Sequence, residues 1–155
     1  MAQPVYIAVI GGSEIGAEIA DLARQVGREV ARRGAVLLCG GLSGVMAAAA
    51  QGAQEAGGIS LGILPNGDRR RANPYLTYTI ATNLGHARNM LIAHSADAVI
   101  AIDGGYGTVS EAAIALKLGK PVIGLQVTWD LPELRRAGSP EEAVSLAWEG
   151  LEGRR

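Results

Sequence analysis

Short apolar runs that stop at glycine and restart with helical spacing constrain this chain more than any other feature. Val5–Ile10 ends at Gly11-Gly12-Ser13, Ala35–Cys39 at Gly40-Gly41-Leu42-Ser43-Gly44, and Ala98–Ile102 at Asp103-Gly104-Gly105-Tyr106-Gly107. Ser60–Leu64 stops at Pro65-Asn66-Gly67, and Pro121–Leu125 is a further run of this kind. Between them, Ile15–Arg33 spaces Ile15, Ile19, Leu22, Ala23, Val26 and Val30 as a helix does. Val45–Ala56 is alanine-rich and helical, and Val109–Leu118 has helical spacing. Strands apolar on both sides, alternating with helices, predict a parallel sheet covered on both faces. With short right-handed crossovers, the expectation is an α/β, doubly wound, mainly parallel, Rossmann-like single domain over residues 1–155.

The remaining elements are fainter. Thr77–Thr82 reads as a short strand and Gly85–Ser95 as a helix, while Arg69-Arg70-Arg71 falls in a polar loop. Ser139-Pro140-Glu141-Glu142 starts a last helix, with serine as cap, proline in the first turn and glutamate three positions on. No apolar run approaches the roughly 20 residues of a membrane span, so no membrane partner is expected. The start, Met1-Ala2-Gln3-Pro4, lacks a basic region followed by an apolar stretch, so no secretory leader is expected. Cys39 is the only cysteine, which excludes an internal disulfide and makes the cytoplasm the expected compartment. A net charge of −1 gives no reason to expect a nucleic-acid partner.

In a parallel sheet the strand C-termini share one edge, so the turns at Gly11–Ser13, Gly40–Gly44 and Gly104–Gly107 are expected to face one crevice. Free backbone N–H groups at a helix start, with the positive end of its dipole, suit a phosphate. The pocket predicted from the residues alone is one for a phosphorylated, nucleotide-sized molecule. Its candidate contacts are Gly11, Gly12, Ser13, Gly40, Gly41, Ser43, Gly104, Gly105, Tyr106, Gly107 and Thr108. The usual nucleotide signatures fail. The first turn reads Gly11-Gly12-Ser13-Glu14-Ile15-Gly16 and the second strand ends in Cys39-Gly40, so neither half of a dinucleotide fingerprint is present. No Gly-Lys-Ser/Thr follows a glycine loop and no G-x-S-x-G elbow occurs. His86 and His94, eight positions apart, do not have metal-ligand spacing, so no metal is expected.

Several of these residues have a second, structural reading. Thr108 and Glu111 form a capping-box pattern as well as a candidate site. Ser13 and Ser43 could cap the helices that follow them, and Tyr106 could stack on a ring or plug an interface. Arg88, in isolation, reads as a surface residue on an amphipathic helix, Arg69–Arg71 as a surface loop and Cys39 as core.

Taken in order, Val9-Ile10-Gly11-Gly12-Ser13, Cys39-Gly40-Gly41-Leu42-Ser43-Gly44-Val45-Met46, Leu61-Gly62-Ile63-Leu64-Pro65, Ala87-Arg88-Asn89-Met90 and Gly104-Gly105-Tyr106-Gly107-Thr108-x-x-Glu111 resemble a known pattern. It is that of the superfamily containing the Lonely Guy (LOG) phosphoribohydrolases and the molybdenum cofactor carrier proteins. The resemblance covers roughly residues 5 to 125 and implies a homodimer or homotetramer. In the hydrolases, Arg88 and Glu111 would be the catalytic pair cleaving the N-glycosidic bond of a nucleoside 5′-monophosphate to free base and ribose 5-phosphate. Gly105, Gly107 and Thr108 would cradle the phosphate. The hydrolases usually carry proline where this chain has Asp103 and lysine where it has Asn89, which draws it toward the carrier-type branch. The implied function is therefore binding of a phosphorylated pterin or nucleotide, with molybdenum cofactor (molybdopterin) as cargo and no cofactor required. The alternative is the phosphoribohydrolase.

Overall fold

The computed structural model describes residues 3–154. Met1 and Ala2, where the reading of an absent leader began, and Arg155 lie outside the described residues. The elements run β1 (Tyr6–Gly11), α1 (Ala17–Arg32), β2 (Val36–Cys39), α2 (Val45–Glu55), β3 (Ser60–Leu64), β4 (Tyr78–Ala81), α3 (Arg88–Ser95), β5 (Ala98–Ile102), α4 (Tyr106–Lys117), β6 (Val122–Leu125), β7 (Arg135–Ala137) and α5 (Pro140–Glu152). Short 3₁₀ turns occupy Arg69–Arg71 and Gly85–Ala87. No helix among the described residues is long and apolar enough to cross a membrane.

The strands form one seven-stranded sheet in the order β4-β3-β2-β1-β5-β6-β7, and every neighbouring pair is parallel. The expected doubly wound, Rossmann-like α/β fold is therefore present, with the sheet wholly parallel. Continuous apolar runs explain the central strands: all five residues of β5 are buried, as a strand covered on both faces must be. On one face Ile7, Val9, Leu37, Ile100 and Ile102 pack with Val26 of α1, Ala49 of α2 and Ala147 of α5. On the other, Ala8, Ile10, Leu38, Val99 and Ala101 meet Ile92 of α3 and Ala112 and Ala115 of α4. Cys39 is core, and burial pushes its thiol up to about 11.

The chain steps outward from β1 to β4 and then returns to lay β5 on the other side of β1. That reversal between β1 and β5 is the topological switch point, where the connections leave the sheet to opposite sides and open a crevice.

Some expectations shift. β7 carries Arg135 and Arg136 and has no apolar run to announce it; it pairs as an edge strand with Ile123 and Gly124 of β6. The capping readings divide. Ser139 Oγ accepts from the Glu142 N–H at 3.1 Å, as the cap pattern requires. Ser13 and Ser43 are not caps: the N-caps of α1 and α2 are Gly16 and Gly44 without side-chain bonds, and Ser43 Oγ donates to the Ser13 carbonyl at 3.2 Å. The helix expected from Val109 starts at Tyr106, capped by Gly105, so Thr108 lies inside the first turn and cannot cap it. Asp103 and Gly104, with φ of 54° and 94°, already turn the chain before Gly105.

Candidate functional site

At the switch point the C-terminal ends of β1, β2 and β5 open into a crevice of about 440 Å³, within the range of small-molecule sites. Register explains the convergence, since Gly11 at the end of β1 pairs with Ile102 at the end of β5. The turn after β1 is tied to the turn after β2 by the Val45 N–H, which donates to the Gly12 carbonyl at 3.0 Å. Gly11, Gly12, Ser13, Gly40, Gly105, Gly107, Thr108, Arg88 and Glu111, all expected from sequence, line this crevice. Gly41, Ser43, Gly104 and Tyr106 do not; Tyr106 is 96% exposed and points its ring into open solvent. Asp103 Oδ2 lies beside Gly12, 3.7 Å from where a Cβ there would stand, outside the lining. The Arg69–Arg71 turn is outside the lining and exposed, with Arg70 bound to Asp68.

Sequence reasoning missed the apolar wall. Val9, Ile10, Leu42, Met46 and Pro65 line the crevice, and Gly85, His86 and Asn89 complete it. Val9, Ile10, Leu42, Met46, Pro65 and Asn89 all stand inside the quoted motifs, so the sequence carries a signal for them; His86 carries none beyond a spacing unsuited to a metal.

Arg88 departs furthest from its isolated reading. It opens α3, yet only 7% of it is exposed. Its Nε donates to the Ile63 carbonyl at 2.9 Å, Nη2 to the Gly40 carbonyl at 3.3 Å, and Nη1 to Asn89 Oδ1. The guanidinium thus ties the ends of β2 and β3 to the start of α3. Gly40 is glycine for this contact, because a Cβ there would lie 2.5 Å from Arg88 Nη2 and 2.7 Å from Met46 Sδ.

Glu111 sits one turn into α4. Among the described residues its carboxylate enters no ion pair. Burial pushes its pKa up to about 7, against the charge of Arg88, which pulls it down. A carboxyl with a raised folded-state pKa binds more protons folded than unfolded between its two values. Stability therefore falls as pH rises from the ordinary 4.5 toward about 7, and stays reduced above it. Glu111→Gln removes that loss, so the variant should exceed the native protein at pH 8 by up to about 3 kcal/mol. The gap should vanish near pH 4.5. Urea melts at both pH values measure it, and parallel pH profiles for the two proteins would refute it.

Comparisons with known proteins give the site a setting. The model of the SLOG cluster4 family matches residues 4–147. An uncharacterized protein of Archaeoglobus fulgidus is 47% identical over 141 residues, 91% of this chain and 93% of that one. The solved structure of the molybdenum cofactor binding protein from the phototrophic bacterium Rippkaea orientalis superposes with a TM-score of 0.90 at 36% identity, covering 96% of this chain and 98% of that one. A probable cytokinin riboside 5′-monophosphate phosphoribohydrolase of Oryza sativa subsp. japonica is 36% identical over 90 residues, 56% of this chain and 37% of that protein.

Proposed function

The chain belongs to the SLOG cluster4 family, within the superfamily of LOG phosphoribohydrolases and molybdenum cofactor carriers, and from that premise we propose that its crevice binds a phosphorylated pterin- or nucleotide-type molecule. One observation carries the reading. Gly105 and Gly107 flank the start of α4 at the crevice, and nothing lies within 4 Å of where their side chains would stand. Packing does not require glycine at either position, and neither has positive φ. Glycines in open space beside free helix-start N–H groups leave room for an anion to reach the backbone. The apolar wall of Leu42, Met46 and Pro65 suits the flat ring that such a molecule carries. Likeness to the Rippkaea protein supports molybdenum cofactor as cargo.

The second reading, hydrolysis of a nucleoside 5′-monophosphate, is favoured by the arrival of Arg88 and Glu111 in one crevice. Glycosidic cleavage puts positive charge on the sugar, which an ionised carboxylate stabilises. Binding is preferred because three of the five N–H groups of Arg88 are already engaged within the protein and burial favours the neutral form of Glu111.

Self-association into a homodimer or homotetramer in the cytoplasm belongs to the same proposal. It is supported by Tyr78, Ile80, Leu84, Met90 and Leu91, which stand exposed. Tyr78 and Ile80 pair with Leu61 and Ile63, so they share the sheet face that α3 and α4 cover elsewhere.

Gly107→Val tests the phosphate site with little cost to the fold, because its side chain meets no neighbour. Ribose 5-phosphate and a panel of nucleoside monophosphates should stabilise the native protein without releasing free base. Ligand at about 100 times its Kd adds roughly 2.7 kcal/mol, and the variant should lose that gain while melting as the native protein does. Unchanged stabilisation in Gly107→Val would put the phosphate elsewhere. Base release abolished by Glu111→Gln would establish the hydrolase instead, and light scattering on the same samples reads the assembly.

A further inference from the structure

Asn89 is the crevice residue whose chemistry is left over. It lies in the first turn of α3 and is only 8% exposed, yet it lines the crevice. Its Oδ1 accepts from Arg88 Nη1. Its Nδ2 has no hydrogen-bond partner among the described residues, where no side-chain nitrogen or oxygen closed off from solvent is left unpaired. Nδ2 therefore keeps its access through the crevice. The amide cannot flip, because turning Nδ2 toward the guanidinium would set donor against donor. Arg88, held in turn by the Ile63 and Gly40 carbonyls, fixes which end of the amide meets a ligand.

A neutral donor held this way suits a neutral acceptor. A phosphate would gain more from a cation, and the guanidinium of Arg88 is already held by three acceptors within the protein. The uncharged part of the ligand belongs on this side, and the phosphate at Gly105–Gly107. We propose that Asn89 is a specificity-determining residue whose amide N–H donates to a ring carbonyl oxygen of the ligand, with Arg88 as its positioning residue. The ligand class is a phosphorylated ring with a lactam edge, as in a 4-oxopterin or a 6-oxopurine, in preference to a 6-aminopurine. This inference rests on the phosphate-binding reading above.

Guanosine, inosine and adenosine 5′-monophosphates share a phosphoribosyl group and differ at the ring edge, and ribose 5-phosphate lacks the ring altogether. Isothermal titration should find the two oxopurine nucleotides bound roughly tenfold more tightly than the aminopurine, the worth of about one hydrogen bond. Asn89→Asp, which offers an acceptor in place of a donor, should reverse the order. Asn89→Ala should abolish the discrimination while binding ribose 5-phosphate as the native protein does, and circular dichroism certifies the folds of both variants. Equal affinities in the native protein, or a preference that survives in Asn89→Ala, would overturn the assignment of Asn89 and leave the phosphate site standing. Failure of every probe, ribose 5-phosphate included, would instead overturn the phosphate reading and this inference with it.

Discussion

Arg88→Met should cost the fold about 2–4 kcal/mol and abolish the preference for an oxopurine over an aminopurine nucleotide. Methionine roughly fills the volume of the arginine stem but donates nothing. The Ile63 and Gly40 carbonyls, now bonded to Nε and Nη2, would be left without these donors near the floor of the crevice. An unmet buried polar group costs about 1–3 kcal/mol, and water entering by the crevice offsets part of it. Asn89 would lose the partner that orients its amide. Glu111 would lose the charge that opposes the upward push of burial, so its pKa should rise further. Arg88→Lys should recover little, because an ammonium on a flexible stem cannot span the three acceptors that the planar fork reaches at once. Urea unfolding and isothermal titration with guanosine and adenosine 5′-monophosphates measure both effects. An Arg88→Met protein within about 0.5 kcal/mol of native stability would show that the guanidinium is a passenger.

Gly52→Ala should destabilise the protein even though alanine is the better helix former. In the interior of an exposed helix the exchange would gain about 1 kcal/mol. Here Gly52 of α2 faces the backbone of α1: a Cβ would land on the Arg24 carbonyl, 2.8 Å from its carbon and nearer still to its oxygen. Gly27 of α1 meets Ala49 of α2 in the same way, again 2.8 Å from the carbonyl carbon. The two helices thus touch backbone to backbone at two points, and neither can yield without tilting the other. Overpacking of this kind costs up to about 3 kcal/mol. Packing outweighs propensity by roughly 2 kcal/mol, or a fall of about 4–8 °C in Tm for a chain of this size. A calorimetric Tm equal to or above the native value would mean that α1 and α2 separate more easily than their contact implies. Ligand-induced stabilisation should persist in the folded variant, because Gly52 is not part of the crevice lining.

How legible the molecule was from its residues depended on the range of the interaction involved. Every apolar run between Val5 and Leu125 became a strand within a residue or so of its expected bounds, because burial on two faces leaves a local mark. The glycine turns likewise announced the crevice, since a parallel sheet must bring strand ends to one edge. The start of α4 was misplaced by a local pattern. Thr108 and Glu111 imitate a capping box, whereas Gly105 caps the helix and Thr108 is 4% exposed inside it. β7 left no mark, because a three-residue edge strand with two arginines has no apolar face to display.

Periodicity and turn chemistry were thus enough for the layered architecture, the edge of the sheet that carries the site and most of the glycines there. Folding alone assigned the polar groups their partners. Arg88 looks like a surface residue until the carbonyls of Ile63 and Gly40, 25 and 48 positions away, come within its reach. Tyr106 looks like a ring clamp until its helix turns it to solvent. The physical reason is that spacing along a chain records which side of an element avoids water. A hydrogen-bond partner or a shifted pKa depends on atoms that only the closed sheet brings together.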